Sequence, residues 1–380
     1  MLDIVKKSAN WVLDQLPESR YIVLESEPDL SDNTMAVFQE MLRRNLEKKY
    51  RFIWWVKDSK ADLPSFPNTE FMDLNTLRSK LLFRWILLRA KCVISCNKFL
   101  SGGRSSVISF NLTHGTALKH MPGYSRPEAI TYTLIAGEGA REVMVRELKG
   151  DSGSFFALGY PRNDVLTGEA FDLHPYLEGD FKKVIVWYPT FRQHKNGHKT
   201  GSANALPILH DDQKARQLNE CAKASGVLIV VKPHFAQDIS YIRDLGLSNI
   251  RFIDDSFFKK NGISSYQFVG SCDALVTDYS SIYFDFLLCR KPVAVVWEDI
   301  QEYRKNPGFA IDPDYYMKGA SRVYNLDDFS GFIRDVAEGR DPGLELRDQM
   351  NSLLNYSADG KNSERVVDFI MERAKLSLES

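Results

Sequence analysis

Residues 273–286 read Asp-Ala-Leu-Val-Thr-Asp-Tyr-Ser-Ser-Ile-Tyr-Phe-Asp-Phe and carry the clearest chemical pattern of the chain. Ala274–Val276 is an apolar run of the kind that forms a buried parallel strand. Thr277, Asp278, Tyr279, Ser280 and Ser281 follow at its carboxyl end, and an amphipathic helix over Ser281–Cys289 is predicted next. A helix start carries unpaired N–H groups and partial positive charge. Two serine hydroxyls add donors, which makes a seat for phosphate or pyrophosphate. Serines at helix starts also serve as plain caps, so this segment alone leaves both readings open.

Three further clusters sit at predicted strand ends. Strand Val107–Phe110 runs into His114-Gly115-Thr116, where glycine permits a sharp turn that exposes the imidazole. A neutral imidazole there can take a proton from an attacking hydroxyl, and the plainer alternative is a loop histidine bonded to its own turn. Strand Val184–Trp187 is stopped by Pro189, and Thr190 and Arg192 follow; an arginine there offers a rigid fork of donors for phosphate oxygens. Strand Val227–Val231 delivers Lys232 and His234 to the same end of its sheet, with Pro233 ending the strand between them. Gly159-Tyr-Pro-Arg-Asn-Asp164 reads as a turn and helix cap. His194 and His198 flank a glycine-containing loop that fixes no ligand geometry, so no metal site is predicted.

The net charge of −1 supplies no global field for nucleic acid, so any anion must be recognised by local positive groups. Walker, zinc and GxSxG patterns are missing, which argues against P-loop kinases and α/β hydrolases. The five cysteines are scattered and read as reduced, buried thiols of a cytoplasmic protein. Met1–Leu16 lacks the apolar centre of a signal peptide, and no uncharged apolar run approaches the roughly 20 residues that span a bilayer.

The elements that must position these residues alternate between β-branched runs and helical periods. Tyr21–Leu24, Phe52–Val56, Cys92–Ser95, Val107–Phe110, Thr131–Ile135 and Phe155–Leu158 form one strand series, with helices over Met35–Lys48 and Leu77–Ala90. Val184–Trp187, Val227–Val231, Ile250–Ile253, Ala274–Val276 and Val293–Trp297 form a second, with helices over Asp211–Ser225, Ser281–Cys289 and Leu326–Ala337. Such alternation predicts βαβ units, here as two doubly wound sheets. Domains are placed at 1–170 and 181–360, joined within Leu166–Asp180, with 361–380 a C-terminal helix packing back on the first. In Leu77–Lys91, five cations interleave with leucines, Phe83 and Trp85. A core helix whose cations snorkel is the favoured reading, and a helix lying on an anionic membrane is the alternative.

The ordered set His-Gly-Thr, Gly-Tyr-Pro-Arg-Asn-Asp, Tyr-Pro-Thr-Phe-Arg, Lys-Pro-His and Thr-Asp-Tyr-Ser-Ser resembles the CDP-glycerol glycerophosphotransferase family of teichoic acid synthesis and related capsule enzymes. The resemblance covers roughly Leu81 to Asp312 and implies an α/β, GT-B-like fold: two Rossmann-like domains facing a central cleft, the first on the acceptor side and the second binding CDP-glycerol. It implies transfer of glycerol phosphate to an acceptor hydroxyl with release of CMP, without cofactor or metal. By this resemblance His114 is the base, His234 stands beside the pyrophosphate, and Arg192, Ser280 and Ser281 hold the donor phosphates. Gly115, Thr116, Thr190, Lys232, Thr277 and Asp278 complete the substrate-binding set. Thr113, Ala117 and Phe235 depart from the family's usual tryptophan, proline and proline, and the first two place the difference on the acceptor side. The implied partners are CDP-glycerol and a lipid-linked or polymeric glycan or polyol-phosphate acceptor, with peripheral contact at the inner face of the cell membrane. Three other readings compete: the same transfer from another CDP-linked polyol such as ribitol, a GT-B glycosyltransferase using a nucleotide sugar, and a non-enzymatic membrane or complex scaffold.

Overall fold

The computed structural model describes residues 19–190, 206–233 and 239–378. The chain divides into two compact units. The first takes the residues up to Thr116, Met121–Asp164 and those from Asn355 onward; the second takes Val165–Leu354 together with Ala117–His120.

The first unit holds a seven-stranded sheet: β1 Tyr21–Glu25, β2 Arg51–Trp55, β3 Thr69–Met72, β4 Cys92–Ser95, β5 Ile108–Asn111, β6 Tyr132–Ile135 and β7 Phe155–Ala157. Its order is β3-β2-β1-β4-β5-β6-β7 and every pairing is parallel. The second unit holds β8 Lys183–Trp187, β9 Val227–Val231, β10 Ile250–Phe252, β11 Ala274–Thr277, β12 Val293–Val296 and β13 Ser321–Val323. Its order, β10-β9-β8-β11-β12-β13, repeats the same doubly wound plan. Central strands are buried on both faces, so β4, β9, β11 and β12 read as unbroken apolar or small-residue runs. The edge strands β3 (Thr-Glu-Phe-Met) and β13 (Ser-Arg-Val) are short and partly exposed, and neither has a pattern that sequence periodicity detects.

Two predicted helices differ in character from expectation. The helix after Ser281 spans Ile282–Phe286 and passes into a 3₁₀ turn, Leu287–Cys289. It is not amphipathic: every residue from Ile282 to Leu288 is buried, inside the core of the second unit. Leu77–Arg89 departs in the other direction. Phe83 and Ile86 anchor it to the sheet, while Leu77, Leu81, Leu82 and Trp85 are 73%, 59%, 46% and 45% exposed. It is not the core helix favoured from sequence.

The helix Asn362–Arg373 lays Val366, Val367 and Ile370 against Val37, Phe38 and Met41 of the helix Asp32–Arg43. Its start is capped from a distance in sequence. Asp164 accepts the backbone N–H groups of Asn362 and Ser363, both at 2.7 Å. Gly159, at φ +80, makes room for this junction, because a Cβ there would stand 2.0 Å from Asn362 Oδ1. Asp164→Ala is expected to lower stability by about 1–2 kcal/mol, the worth of a lost helix cap. Chemical denaturation of the full chain measures it, and an unchanged midpoint would contradict the capping role.

Candidate active site

In the second unit the strand order turns between β8 and β11, the position where open α/β sheets form a crevice. The chain leaves β8 through Tyr188-Pro189-Thr190 and leaves β11 through Asp278. Asp278 is fully buried. Its two carboxylate oxygens accept Thr190 N–H at 3.0 and 2.9 Å, the Thr190 hydroxyl, and Tyr279 N–H at 2.7 Å. Thr277, also fully buried, donates its hydroxyl to Tyr188 O at 3.0 Å. These two side chains therefore fix one exit loop upon the other and point away from solvent. Tyr279 adds a third tie: its ring stacks on Tyr303 with centroids 3.8 Å apart, and its hydroxyl donates to Asp299 Oδ1 at 2.8 Å.

What this framework leaves open is the serine pair. Ser280 and Ser281 are partly exposed. Ser280 Oγ accepts Ile282 N–H only at 3.5 Å, and Ser281 Oγ makes no hydrogen bond among the described residues. Lys232 stands on the neighbouring strand exit, its N–H donating to Trp187 O at 2.9 Å. Its ammonium lies 3.0 Å from Asp255, whose side chain is 86% exposed. So exposed a partner is worth at most about 1 kcal/mol and can yield to a phosphate oxygen. Arg192 and His234 lie outside the described residues, as do His194 and His198.

In the first unit β5 ends at Asn111, and the following turn presents an exposed His114. The turn is strained: Thr113 has φ +48, and Gly115, at φ +140, occupies backbone space that suits glycine. Buried groups hold it there. Thr113 N–H donates to Asn111 Oδ1 at 3.2 Å, and Thr113 Oγ1 donates to Leu134 O at 2.9 Å and lies 3.3 Å from Tyr160 Oη. Asn33, fully buried, donates Nδ2 to Leu112 O at 3.2 Å and to Thr113 O at 3.0 Å, and accepts Arg162 N–H on Oδ1 at 3.1 Å. Arg162 in turn grips both oxygens of Asp32, at 2.8 and 2.9 Å. The Cys96 thiol also donates to Thr113 O, at 2.7 Å. Burial raises its pKa well above the ordinary thiol value, which makes it a donor and not a nucleophile. Thr116 is 2% exposed, and its hydroxyl has no hydrogen-bond partner among the described residues. Phe99, Met121, Tyr124 and Met144 line a recess beside the imidazole.

The switch point of the first sheet, between β1 and β4, carries a counterpart of Asp278. Glu25 ends β1, is 1% exposed, and accepts Cys96 N–H at 3.3 Å and Lys98 N–H at 3.1 Å on Oε2. Desolvation raises its pKa against the pull of those N–H groups and of the Lys98 charge. Glu25, Asp32 and Asn33 were not singled out from sequence. The Gly159–Asp164 motif was, as a turn and cap; the structure shows it also buttressing the histidine turn through Tyr160 and Arg162. Among the described residues no group of three or more His, Cys, Asp or Glu side chains is placed to hold a metal ion.

A family model for CDP-glycerol:poly(glycerophosphate) glycerophosphotransferases matches residues 8–372. The chain belongs to this family. It is 25% identical over 370 residues to the teichoic acid poly(ribitol-phosphate) polymerase of Bacillus spizizenii, covering 91% of this chain and 55% of that protein. It is 26% identical over 334 residues to the teichoic acid poly(glycerol phosphate) polymerase of the same species, covering 79% and 80%. The chain thus spans about half the length of the first of these relatives. Among solved structures, the wall teichoic acid polymerase TagF superposes with a TM-score of 0.74 at 22% identity, over 99% of this chain and 96% of that one. A UDP-N-acetylglucosamine 2-epimerase from Listeria monocytogenes superposes at 0.56, with 14% identity over 94% and 98%. The fold is GT-B-like: two Rossmann-like α/β units.

Asn33→Ala would leave Leu112 O, Thr113 O and Arg162 N–H without this partner inside the protein. A loss of about 3 kcal/mol in unfolding free energy is expected, as for buried polar groups left unsatisfied. Denaturant titration reads it, and a loss below 0.5 kcal/mol would show that the turn is held by other means.

Proposed function

We propose that this protein transfers glycerol phosphate from CDP-glycerol to an acceptor hydroxyl of a cell-envelope polyol-phosphate or glycan polymer, releasing CMP. The observation that carries the reading is the separation of labour in two family motifs: buried staples hold the loops, while an exposed His114 and a partly exposed Ser280–Ser281 pair remain for substrate.

The acceptor hydroxyl gives its proton to His114 as its oxygen attacks the β-phosphorus. The bond from that phosphorus to the oxygen bridging to the α-phosphate breaks, and CMP leaves with the electron pair. Ser280 and Ser281 donate to the diphosphate at the helix start, with Lys232 adding positive charge; His234 and Arg192 complete the donor site. Transfer of this kind depends on positioning and charge neutralisation more than on covalent help from the protein. His114→Ala is expected to cut CMP release by at least about a hundredfold, within the usual range for loss of a general base. CDP-glycerol affinity should change less than about threefold, because the base serves the acceptor. An equal collapse of donor binding would move His114 to the donor side. Release of a nucleoside diphosphate in place of CMP would favour the nucleotide-sugar alternative.

Peripheral membrane contact belongs to the same proposal. No helix among the described residues is long and apolar enough to cross a membrane. The helix Leu77–Arg89 instead presents Leu77, Leu81 and Trp85 on one stripe, with Leu82 beside it and Arg78, Lys80 and Arg84 exposed along its flanks. Such a surface suits the interface of an anionic bilayer, the place of a lipid-linked acceptor. Leu81→Glu combined with Trp85→Glu should weaken sedimentation with phosphatidylglycerol vesicles at least about tenfold while leaving CMP release onto a soluble acceptor intact. Vesicle binding equal to that of the unaltered protein would exclude this helix as the contact.

A further inference from the structure

At the edge of the first sheet opposite His114 lies a cavity of about 790 Å³. It opens where the chain enters three adjacent strands. Arg104 and Ser105 lead into β5, Arg126 and Thr131 into β6, and Lys149 and Asp151 into β7. The strands are parallel, so these amino-terminal ends are separated from the histidine turn by the strand length, roughly 13 Å for four residues.

Its polar character is built in. Arg104 and Arg126 are only 6% and 9% exposed. Arg126 donates Nε to Thr133 Oγ1 at 2.8 Å and Nη2 to Ile130 O and, at 3.3 Å, to Thr131 O. Each acceptor is neutral, and Nη1 makes no hydrogen bond among the described residues. The guanidinium lies over the Phe155 ring, 5.8 Å from its centroid. Gly150 clears that path, because a Cβ there would meet Phe155 at 2.6 Å and Arg126 Cδ at 3.2 Å. Desolvation pulls the Arg126 pKa down, and Asp151 opposes this through its charge without a hydrogen bond. A buried cation held mainly by neutral oxygens is costly, and an incoming anion offsets that cost. The volume is that of a small-molecule site.

We propose that this cavity is a second ligand site, taking a hydroxyl-bearing phosphodiester segment. Arg104, Arg126 and Lys149 face its phosphates, and Asp151 and Ser105 face its hydroxyls. The choice of ligand rests on the proposed transfer reaction: such a segment is what the acceptor or product polymer presents. Being remote from the histidine turn, the site acts on acceptor affinity and chain retention and not on the chemical step.

Calorimetric titration of the full chain with a synthetic trimer of glycerol phosphate tests this, with inorganic phosphate and phosphatidylglycerol vesicles as separate arms. Lys149→Asn is a mild probe, because φ is +54 at this exposed position and asparagine tolerates that conformation. Arg104→Gln is the second variant, and thermal unfolding checks that both fold. The trimer should bind the unaltered protein and His114→Ala alike and bind each cavity variant at least about tenfold more weakly, the loss expected for a charge-assisted contact. Equal affinity in the unaltered protein and Lys149→Asn, or no trimer binding at all, overturns the proposal. A cavity-dependent response to vesicles and not to the trimer reassigns the phosphate to lipid and overturns the polymer assignment. CMP release onto a short acceptor, measured in the same variants, keeps the two claims apart. Normal release with unaltered trimer affinity removes the site and leaves the transfer reaction standing. Absent release with cavity-dependent trimer binding does the reverse.

Discussion

Both sheets depend on one device at the point where their strand order turns. A carboxylate at the end of one strand is buried and accepts backbone N–H groups from the exit loop of the neighbouring strand. In the second unit Asp278 takes Thr190 after β8, and Tyr279 of its own exit loop besides; in the first, Glu25 takes Cys96 and Lys98 after β4. Parallel strands diverge at their carboxyl ends and leave backbone donors unpaired there. A carboxylate that accepts two of them converts a gap in the sheet into a defined crevice. Charge-assisted hydrogen bonds of this kind are stronger than neutral ones, and the low surrounding dielectric makes them costly to break.

This constraint explains how single motifs divide between buried support and side chains left open to solvent. In Thr277–Ser281 the first two residues are fully buried and bonded to the loop after β8, while the serines stand partly exposed. In Asn111–Thr116, Asn111 and Thr113 are consumed in holding a left-handed turn, and His114 projects from it. The support extends far along the chain. Asn33 belongs to the helix Asp32–Arg43, and Tyr160 and Arg162 follow β7, yet Asn33 holds the Thr113 carbonyl, Tyr160 meets the Thr113 hydroxyl, and Arg162 donates its backbone N–H to Asn33. Asp164 carries the same segment on to the start of the helix Asn362–Arg373.

Much of this was legible before the structure. The apolar runs of β4 and β9 and the helix Leu326–Ala337 coincide with the observed elements residue for residue, because buried parallel strands and well-capped helices leave strong local signals. The five ordered motifs indicated the family, and with it the GT-B-like fold. Local patterns failed where tertiary context decides. β3 and β13 are short edge strands without alternation. The helix after Ser281 has Asp285 among apolar neighbours and so looks amphipathic, yet that carboxylate is buried and accepts the Tyr266 hydroxyl at 2.7 Å. Asn33 and Glu25 carried no local signal, since their partners lie about 70–80 residues away in sequence. In the helix Leu77–Arg89 the reading of snorkelling cations over a core stripe failed because the sheet covers only Phe83, Ile86 and the side nearest them.

On the proposed transfer, the partly exposed serines, and not the buried Thr277–Asp278 pair, meet the donor's diphosphate. A crystal structure with CDP-glycerol bound tests it most directly. The prediction is diphosphate oxygens within hydrogen-bonding distance of Ser280 and Ser281, with the Asp278 carboxylate still closed on Thr190 and Tyr279. A diphosphate seated on Asp278 itself, or far from the carboxyl ends of β8 and β11, would contradict it.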